Sequence, residues 1–288
     1  MSNEKTLRYG LADKKRIVIK VGSSTIMHEE TGDTNLLWME RLVRFITDLR
    51  GQGKDVILVT SGAVAAGRKA MHFNGRPQRI SEKQALAAIG QARLMMIYQR
   101  MFAEYSQTAA QVLVTKNIFL NEDSLRNTKN TFNELLQMGV VPIVNENDTI
   151  STSEISFGDN DRLSALVATI CEADLLILLS DIDGLYTDDP HSNPLAGFIS
   201  YVPKMDEKLL NMGKSTSASD IGTGGMRSKI EAARIATDSG ADMVIMSGEK
   251  VSDISALLQG DNIGTIFAAH KHVDFDLMTY IRDEYDKN

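Results

Sequence analysis

"RIVIKVG", residues 16–22, decides the fold, because it is a short, continuous apolar run without polar alternation. Runs of this kind are typical of strands that are buried on both faces, as in parallel sheets. Five more runs share this character, and they are "DVILVTSG" (55–62), "AAQVLVT" (109–115), "VVPIVNEN" (140–147), "LLILLSD" (175–181) and "DMVIMSG" (242–248). The sequence therefore predicts six buried strands.

Segments with helical spacing separate these strands. The first helix is predicted over "NLLWMERLVRFITDLR" (35–50), with a stripe formed by Leu36, Met39, Val43, Ile46 and Leu49. Three more helices are predicted: one capped by Ser81 at the start of "SEKQALAAIGQARLMMIYQRMFAEY", one over "DRLSALVATICEA", and one over "GGMRSKIEAARIATDSG" that ends at Gly240.

Alternation of strands and helices predicts an α/β fold, in which a mostly parallel sheet carries helices on both faces. A closed barrel needs about eight regular units. This chain shows six clear strands, with stretches at 116–130, 148–160 and 182–222 that we predict to be irregular. An open sheet is therefore the better prediction.

Composition and charge exclude several classes of function. The chain has 288 residues and a formal net charge of -7, which argues against general affinity for nucleic acid. Its first residues lack the apolar core of a signal peptide, and no stretch reaches the roughly 20 apolar residues of a membrane span. The single cysteine, Cys171, lies in an apolar run, which suits a buried thiol in a reducing cytoplasm. We expect a cytoplasmic protein without membrane or nucleic-acid partners.

Polar residues follow the predicted strands, and ligands of open parallel sheets bind beyond the carboxyl ends of the strands. The residues at these ends include Lys20, Gly22, Ser61, Gly62, Asn145, Asp148, Ser180 and Asp181. We expect them to form a site that offers ammonium, amide, hydroxyl and carboxylate groups.

Two of these strand ends have alternative interpretations. Lys20 stands inside an apolar strand, so its ammonium group must either reach solvent or meet an anion. "TSGAVAAG" (60–67) leads into a helix of small residues, which can leave room for an anion at the helix start or can serve close packing. The residues alone do not separate these alternatives.

"NENDTISTSEISFGDNDRLSA" (145–165) is the most unusual stretch, because it concentrates amides and carboxylates around a strand end and a helix start. Such a group can bind an amino group, orient lysines or hold a metal, although Asp161 can also be a simple helix cap. Calcium loops of the EF-hand kind need a different order of ligands. Ser180 and Asp181 can face a ligand or belong to a solvated turn.

"GTGGMRSK" (222–229) has the composition of a phosphate-binding loop, but it matches neither common template. In a P-loop the lysine would follow a glycine directly, whereas Lys229 follows Ser228. A dinucleotide fingerprint would require glycine where Arg227 stands. The stretch is therefore a candidate for a third type of phosphate loop.

Taken in order, "IKVGSS", "VTSGAVAAG", "PIVNENDTIS", "FGDNDRLSA", "LLSDIDGLYTDDP" and "GTGGMRSKIEAA" resemble the amino acid kinase family over residues 14–270. "NEND" followed by "FGDNDRLSA" is most similar to members that phosphorylate the γ-carboxylate of L-glutamate with ATP, the first step of proline biosynthesis. The resemblance implies a three-layer αβα sandwich and one kinase domain over 1–288, without the C-terminal PUA domain that many relatives carry.

The resemblance also implies roles for individual residues. Lys20 and Lys229 would hold the transferred phosphoryl group, and Asp161 would hold both lysines. Glutamate would be bound by Ser61, Gly62, Asn145, Asp148 and Asn160. ATP would be surrounded by Lys20, Gly22, Ser180, Asp181, Thr223, Gly224, Gly225, Met226, Arg227, Ser228 and Lys229.

The implied reaction fits the inventory of residues. A glutamate side chain has a pKa near 4.3, so it is ionised at neutral pH and needs no general base. Lysines and Mg²⁺ would then neutralise charge between two anions. Mg²⁺ relies on phosphate oxygens and water, so no protein ligand is assigned to it, and the carboxylates at Asp159 and Asp161 could orient lysines or meet the ion through water.

The resemblance also implies an oligomeric state and an inhibitor, and alternative functions remain beside it. The resemblance implies a homo-oligomer, a dimer or tetramer, and inhibition by proline. The alternatives are a kinase acting on N-acetylglutamate or aspartate, and a non-catalytic sensor of nucleotides or amino acids. A sensor could lose Lys20, Lys229 and Asp161, and this chain retains all three.

Overall fold

The computed structural model describes residues 3–151, 160–188, 193, 195–207, 209–210, 225–272 and 275–285. Its helices and strands follow in chain order: α1 (Asn3–Gly10), β1 (Arg16–Val21), α2 (Ser23–Ile26), α3 (Leu36–Gly51), β2 (Asp55–Thr60), α4 (Ala63–Ala70), α5 (Ile80–Glu104), β3 (Ala109–Val114), α6 (Glu122–Gln137), β4 (Val141–Glu146), α7 (Asn160–Ile170), β5 (Leu175–Ser180), β6 (Leu185–Tyr186), β7 (Phe198–Ile199), β8 (Tyr201–Val202), α8 (Met226–Ser239), β9 (Asp242–Ser247), α9 (Val251–Leu258), β10 (Thr265–Phe267) and α10 (Leu277–Tyr285). Short 3₁₀ helices cover Leu11–Asp13 and Lys116–Leu120.

The chain divides into two compact units. The continuous unit comprises Val21–Asn160, and the discontinuous unit comprises Met1–Lys20 together with Asp161–Asn288. In the continuous unit, β4 pairs in parallel with β3 on one side and β2 on the other. In the discontinuous unit the strand order is β1-β5-β9-β10-β8, and the only antiparallel pair among these described strands is β9 with β10.

All six strands predicted from apolar runs are present, and the predicted class, an open and mostly parallel α/β sheet, is confirmed. Strands β4 and β5 are buried along their whole length, as continuous apolar runs require. The small strands β6, β7, β8 and β10 were not predicted, because two or three residues carry no readable period.

Two predictions about helices are wrong. Helix α5 is not capped by Ser81: it begins at Ile80, and the carboxylate of Glu82 accepts from the backbone N–H groups of Gln78 and Arg79. The stretch 116–130 is not irregular, since α6 begins at Glu122 after an Asn121 side chain that accepts from the Ser124 N–H. Helix α6 buries mainly Phe132 and Leu136, so its apolar stripe is too sparse to read in the sequence.

The other helical predictions are largely confirmed. Helix α8 ends at Gly240, which has a left-handed φ of 105°. In the predicted stripe of α3, Met39, Val43 and Ile46 are fully buried, but Leu36 is 52 % exposed because it is the first residue of the helix. Cys171 is buried, as expected. Within the described ranges, no helix combines the length and the apolar character that crossing a bilayer requires.

Close packing of α4 against α5 explains part of the small-residue segment. A Cβ atom on Gly67 would overlap the carbonyl oxygen of Leu86, and one on Gly90 would overlap the carbonyl oxygen of Ala63. The two backbones touch, so only glycine fits at these positions. Packing is therefore the reason for Gly67, whereas Gly62 has a φ of 96° at the N-cap of α4.

Gly90→Ala is expected to destabilise the protein by about 2–3 kcal/mol, because the added methyl group collides with rigid backbone rather than with a side chain that can move. Urea denaturation measures this change in the free energy of unfolding. The matched control is Gly51→Ala at the end of α3, where a Cβ meets no atom within 4 Å. The control should be neutral or slightly stabilising; equal effects at both positions would contradict the packing argument.

Candidate active site

Three charged side chains meet inside the discontinuous unit. Lys20 is the fifth residue of β1, Asp161 lies in the first turn of α7, and Lys229 lies in the first turn of α8. The Lys20 Nζ is 2.5 Å from Asp161 Oδ1, and the Lys229 Nζ is 3.1 Å from Asp161 Oδ2. One carboxylate therefore holds two ammonium groups, one on each oxygen.

The cluster is buried. Asp161 has no exposed surface, and Lys20 and Lys229 expose 8 % and 5 %. Burial by itself raises the pKa of Asp161, but the positive charges of Lys20 and Lys229 outweigh it and hold that pKa below its ordinary value. Asp161 is thus ionised at neutral pH, and the cluster carries one net positive charge that favours an anionic ligand.

The start of α8 adds polar groups next to this cluster. Gly225 is the N-cap of the helix, and no side chain of the described residues caps it. The Ser228 hydroxyl lies 2.8 Å from the Gly225 carbonyl oxygen and 3.4 Å from Asp161 Oδ2. A Cβ on Gly225 would meet no atom within 4 Å, and its φ of -68° suits any residue, so the described chain gives no reason for glycine here. The first backbone N–H groups of a helix suit phosphate.

Ser180 and Asp181 lie at the end of β5, the strand that pairs with β1. The Ser180 hydroxyl donates to Asp181 Oδ1 over 2.8 Å, and the Gly248 N–H donates to the Ser180 carbonyl oxygen over 2.7 Å. Ser180 is buried and Asp181 is exposed. The pair is therefore held in place from β9 rather than being a free turn.

A second polar cluster lies inside the continuous unit. Its centre is the Asn160 amide nitrogen, which lies 2.7 Å from the Thr60 carbonyl oxygen, 2.9 Å from Ser61 Oγ and 2.9 Å from Asn145 Oδ1. Asn145 in turn donates from Nδ2 to Gln91 Oε1 over 2.9 Å. These bonds join the ends of β2 and β4 to the start of α7.

Below this network, the Thr60 hydroxyl lies 3.1 Å from the Tyr98 hydroxyl, and both are buried. Burial raises the pKa of Tyr98 to about 12. Tyr98 is therefore neutral at physiological pH, and it acts as a hydrogen-bonding support under the end of β2.

Asp148 does not belong to this network. Its carboxylate pairs instead with the Lys83 Nζ of α5 at 3.7 Å. Burial raises the pKa of Asp148, and Lys83 offsets part of that rise. Lys83 is half exposed, so a ligand ammonium group can compete with it for the carboxylate.

The predicted site residues thus fall into groups. One unit brings together Lys20, Asp161, Ser228 and Lys229, with Gly225 and Met226 at the start of the same helix. Arg227 points elsewhere and pairs with Glu231 at 3.0 Å, with its side chain 69 % exposed. The other unit joins Ser61, Asn145 and Asn160, with Gly62 beside Ser61, Gly22 as the N-cap of α2, and Asp148 apart. Thr223, Gly224 and Asp159 lie outside the described residues.

Gln91 was missed by sequence reasoning. It lies on the buried face of α5 with Leu94 and Tyr98, at the spacing of an apolar stripe. An amide at a core position of such a stripe is the signal that could have identified it, because a buried amide requires hydrogen-bonding partners.

The described residues bear on the two roles that the sequence leaves open for the Asp161 carboxylate, orienting the lysines or meeting a metal ion. No three His, Cys, Asp or Glu residues gather there in a way that could hold a metal ion. Both oxygens of Asp161 face lysines. Of the two roles open for this carboxylate, the contacts therefore favour orienting the lysines.

Comparison with known proteins identifies the class. Residues 15–247 match the model of the amino acid kinase family. The chain is 47% identical to glutamate 5-kinase of Carboxydothermus hydrogenoformans over 92% of this chain and 71% of that protein. It is 45% identical to glutamate 5-kinase of Clostridium perfringens over 92% and 99%, and 48% identical to that of Clostridium acetobutylicum over 89% and 96%.

Solved structures agree on the fold. Carbamate kinase from Giardia lamblia bound to AMP-PNP superimposes with a TM-score of 0.63 at 14% identity, covering 89% of this chain and 99% of that one. UMP kinase from Ureaplasma parvum gives a TM-score of 0.58 at 14% identity, covering 88% and 99%. The chain belongs to the amino acid kinase family.

Proposed function

We propose that this protein is a glutamate 5-kinase, which transfers the γ-phosphoryl group of ATP to the γ-carboxylate of L-glutamate. The observation that carries the proposal is the buried cluster in which Asp161 holds Lys20 and Lys229 with a net positive charge. Identities of 45–48% to glutamate 5-kinases support the choice of glutamate. The product, L-glutamyl 5-phosphate, opens proline biosynthesis.

ATP is assigned to the discontinuous unit. Lys20 and Lys229 would neutralise the phosphoryl oxygens, on which charge is spread during transfer. The start of α8 would offer its backbone N–H groups to the nucleotide phosphates. Ser180 and Asp181, at the end of the neighbouring strand, would bind the nucleotide, together with residues 225–228 at the start of α8.

Glutamate is assigned to the polar cluster of the continuous unit. Because the Asn160 amide nitrogen already donates to protein oxygens, its Oδ1 is the atom left to accept from the ligand ammonium group. Because Ser61 Oγ accepts from Asn160, the Ser61 hydroxyl proton is left to donate to a ligand carboxylate. Asp148 would pair with the ammonium group in place of Lys83.

The chemistry needs positioning rather than proton transfer. A γ-carboxylate oxygen attacks the γ-phosphorus, the bond from that phosphorus to the bridging oxygen breaks, and ADP leaves with the electron pair. The nucleophile is already ionised at neutral pH, so no side chain has to remove a proton. Asp161 stays ionised between the lysines and would keep both ammonium groups aimed at the transferred group.

Mg²⁺ accompanies ATP in this proposal and supplies additional positive charge on the phosphates. It prefers phosphate oxygens and water, so the ion would be bound mainly through the nucleotide. Asp181 is the carboxylate at the end of β5 that would hold its water ligands.

Three further properties belong to the proposal. We expect a cytoplasmic enzyme, since the single cysteine of the chain, Cys171, is buried and suits a reducing compartment. We expect a homo-oligomer, a dimer or tetramer, as the amino acid kinase resemblance implies. We also expect proline to inhibit, as a feedback signal from the end of the pathway.

The decisive experiment is an ADP-release assay with L-glutamate, N-acetyl-L-glutamate and L-aspartate, each with and without proline. L-glutamate should be turned over at least 100-fold more efficiently than N-acetyl-L-glutamate, because the acetylated analogue has no ammonium group to replace Lys83 at Asp148 and places an acetyl group there instead. Comparable kcat/KM values for the two would rule out glutamate as the specific substrate. ATP binding without turnover of any acceptor would favour a sensor instead.

A further inference from the structure

Gln91 is a buried polar residue to which the proposed reaction gives no task. It lies in the middle of α5 and is 8 % exposed, among side chains that are otherwise apolar. Burying an amide is costly unless its atoms are satisfied. Its Oε1 accepts from Asn145 Nδ2, whereas no hydrogen bond is found for the buried Nε2 among the described residues. The hydrogen bond that Gln91 contributes is therefore the one in which its Oε1 accepts from Asn145 Nδ2.

The direction of this bond is fixed by the backbone. The Glu146 N–H donates to Asn145 Oδ1 over 2.9 Å, and a backbone N–H cannot become an acceptor. Asn145 Oδ1 accepts from Asn160 as well. Asn145 must therefore use its Nδ2 as the donor, and Gln91 Oε1 is the acceptor that receives it.

The directions of the hydrogen bonds are also fixed at Asn160 and Ser61, the two residues that would contact the ligand. Asn160 donates from Nδ2 and so presents Oδ1, while Ser61 accepts and so presents its hydroxyl proton. An α-amino acid requires an acceptor for its ammonium group and a donor for its carboxylate. The chain of bonds from Gln91 produces this pair of groups.

We propose that Gln91 is a positioning residue for the acceptor substrate, acting through Asn145 and Asn160 on the polarity of the groups that meet the amino acid. This inference rests on the proposed assignment of glutamate to the continuous unit. Without the Gln91 oxygen, Asn145 either keeps a buried donor unsatisfied or flips its amide. A flip would turn the Asn145 Nδ2 group towards two other donors, the Asn160 Nδ2 group and the Glu146 N–H.

The test compares Gln91→Met with Gln91→Glu. Gln91→Met keeps the length of the side chain but removes the acceptor, and the KM for glutamate is expected to rise about tenfold. The KM for ATP should change less than twofold, because ATP is assigned to residues outside this network. Gln91→Glu keeps an oxygen towards Asn145 and replaces an Nε2 that has no partner among the described residues. Burial favours the neutral carboxyl group over a carboxylate at this position, so the KM for glutamate should stay within about threefold of the wild type.

Gln91→Asn provides a second variant in case methionine prevents folding. It keeps an amide but shortens the side chain by one methylene group, so the oxygen withdraws from Asn145 and the KM for glutamate should again rise. Glutamate-dependent stabilisation against heat, measured without ATP, should weaken in parallel in both variants.

The outcomes distinguish failure of the positioning role of Gln91 from failure of the proposed function. A lower kcat with an unchanged KM for glutamate would show a merely structural role, and equal rises of both KM values would also overturn the inference. Failure of Gln91→Glu to retain the wild-type KM would argue against the acceptor oxygen. A wild type that does not phosphorylate glutamate would overturn the proposed function and, with it, this inference; an active wild type with normal Gln91→Met kinetics would overturn the inference alone.

Discussion

Asp161→Asn is expected to lower the free energy of unfolding by about 3–5 kcal/mol, because it leaves two buried ammonium groups without their shared anion. The size follows from burial: Asp161 has no exposed surface, so water cannot replace the lost charge. Asparagine offers one oxygen where the carboxylate offers two. Urea denaturation at pH 7 measures the loss.

The pH dependence of this loss has a definite sign. The folded-state pKa of Asp161 lies below the ordinary value of 3.8, so its stabilising contribution is complete above pH 3.8 and falls as pH drops through the folded-state pKa. The difference in stability between wild type and Asp161→Asn should therefore stay constant from pH 7 to pH 5. A difference that shrinks steadily over this range would contradict a depressed pKa.

The matched control is Asp55→Asn. Asp55 also forms an ion pair, with Arg50 at 3.2 Å, but its side chain is 30% exposed. A pair within reach of water contributes little, so this variant should lose about 1 kcal/mol or less. An equal loss in both variants would mean that burial of the cluster does not determine its contribution.

Much of the fold could be predicted because six of its strands are continuous apolar runs. A run such as 175–180 is apolar at every position, and only a strand covered on both faces uses such a pattern. Helix α6 was not predicted because its stability comes from an Asn121 cap and two buried residues rather than from an apolar stripe. Helix α5 was placed two residues late, with its N-cap at Ser81 instead of Arg79, because the capping carboxylate of Glu82 lies inside the helix, after the turn that it stabilises.

For the candidate site, the sequence predicts residues but not the contacts between them. Lys20 in an apolar strand raised the question of an anion, and the structure answers it with Asp161. The question could not be settled from the sequence, because the two residues are 141 positions apart and only the fold brings them together. Gln91 illustrates the opposite case: its place in the apolar stripe of α5 could mark it as a buried amide, but its link to the candidate site follows only from the direction of hydrogen bonds that a sequence does not contain.

Lys229→Met is expected to reduce kcat by about 10²–10³-fold, equivalent to about 2.7–4 kcal/mol of transition-state stabilisation. Methionine keeps the apolar stem of the side chain and removes only the ammonium group. The buried cluster then has no net positive charge, since Asp161 and Lys20 neutralise each other. The phosphoryl group would lose one of its two cationic partners during transfer.

The fold should survive this change, in contrast to Asp161→Asn, because the remaining carboxylate and ammonium group still form a balanced pair. A small shift of the unfolding midpoint together with a large loss of turnover is therefore the expected signature. The control is Lys250→Met, which removes an exposed lysine of the same unit and should leave kcat within about twofold. If Lys229→Met kept wild-type turnover, the phosphoryl group could not be held by Lys229, and the kinase would have to rely on Lys20 and the backbone of α8 alone.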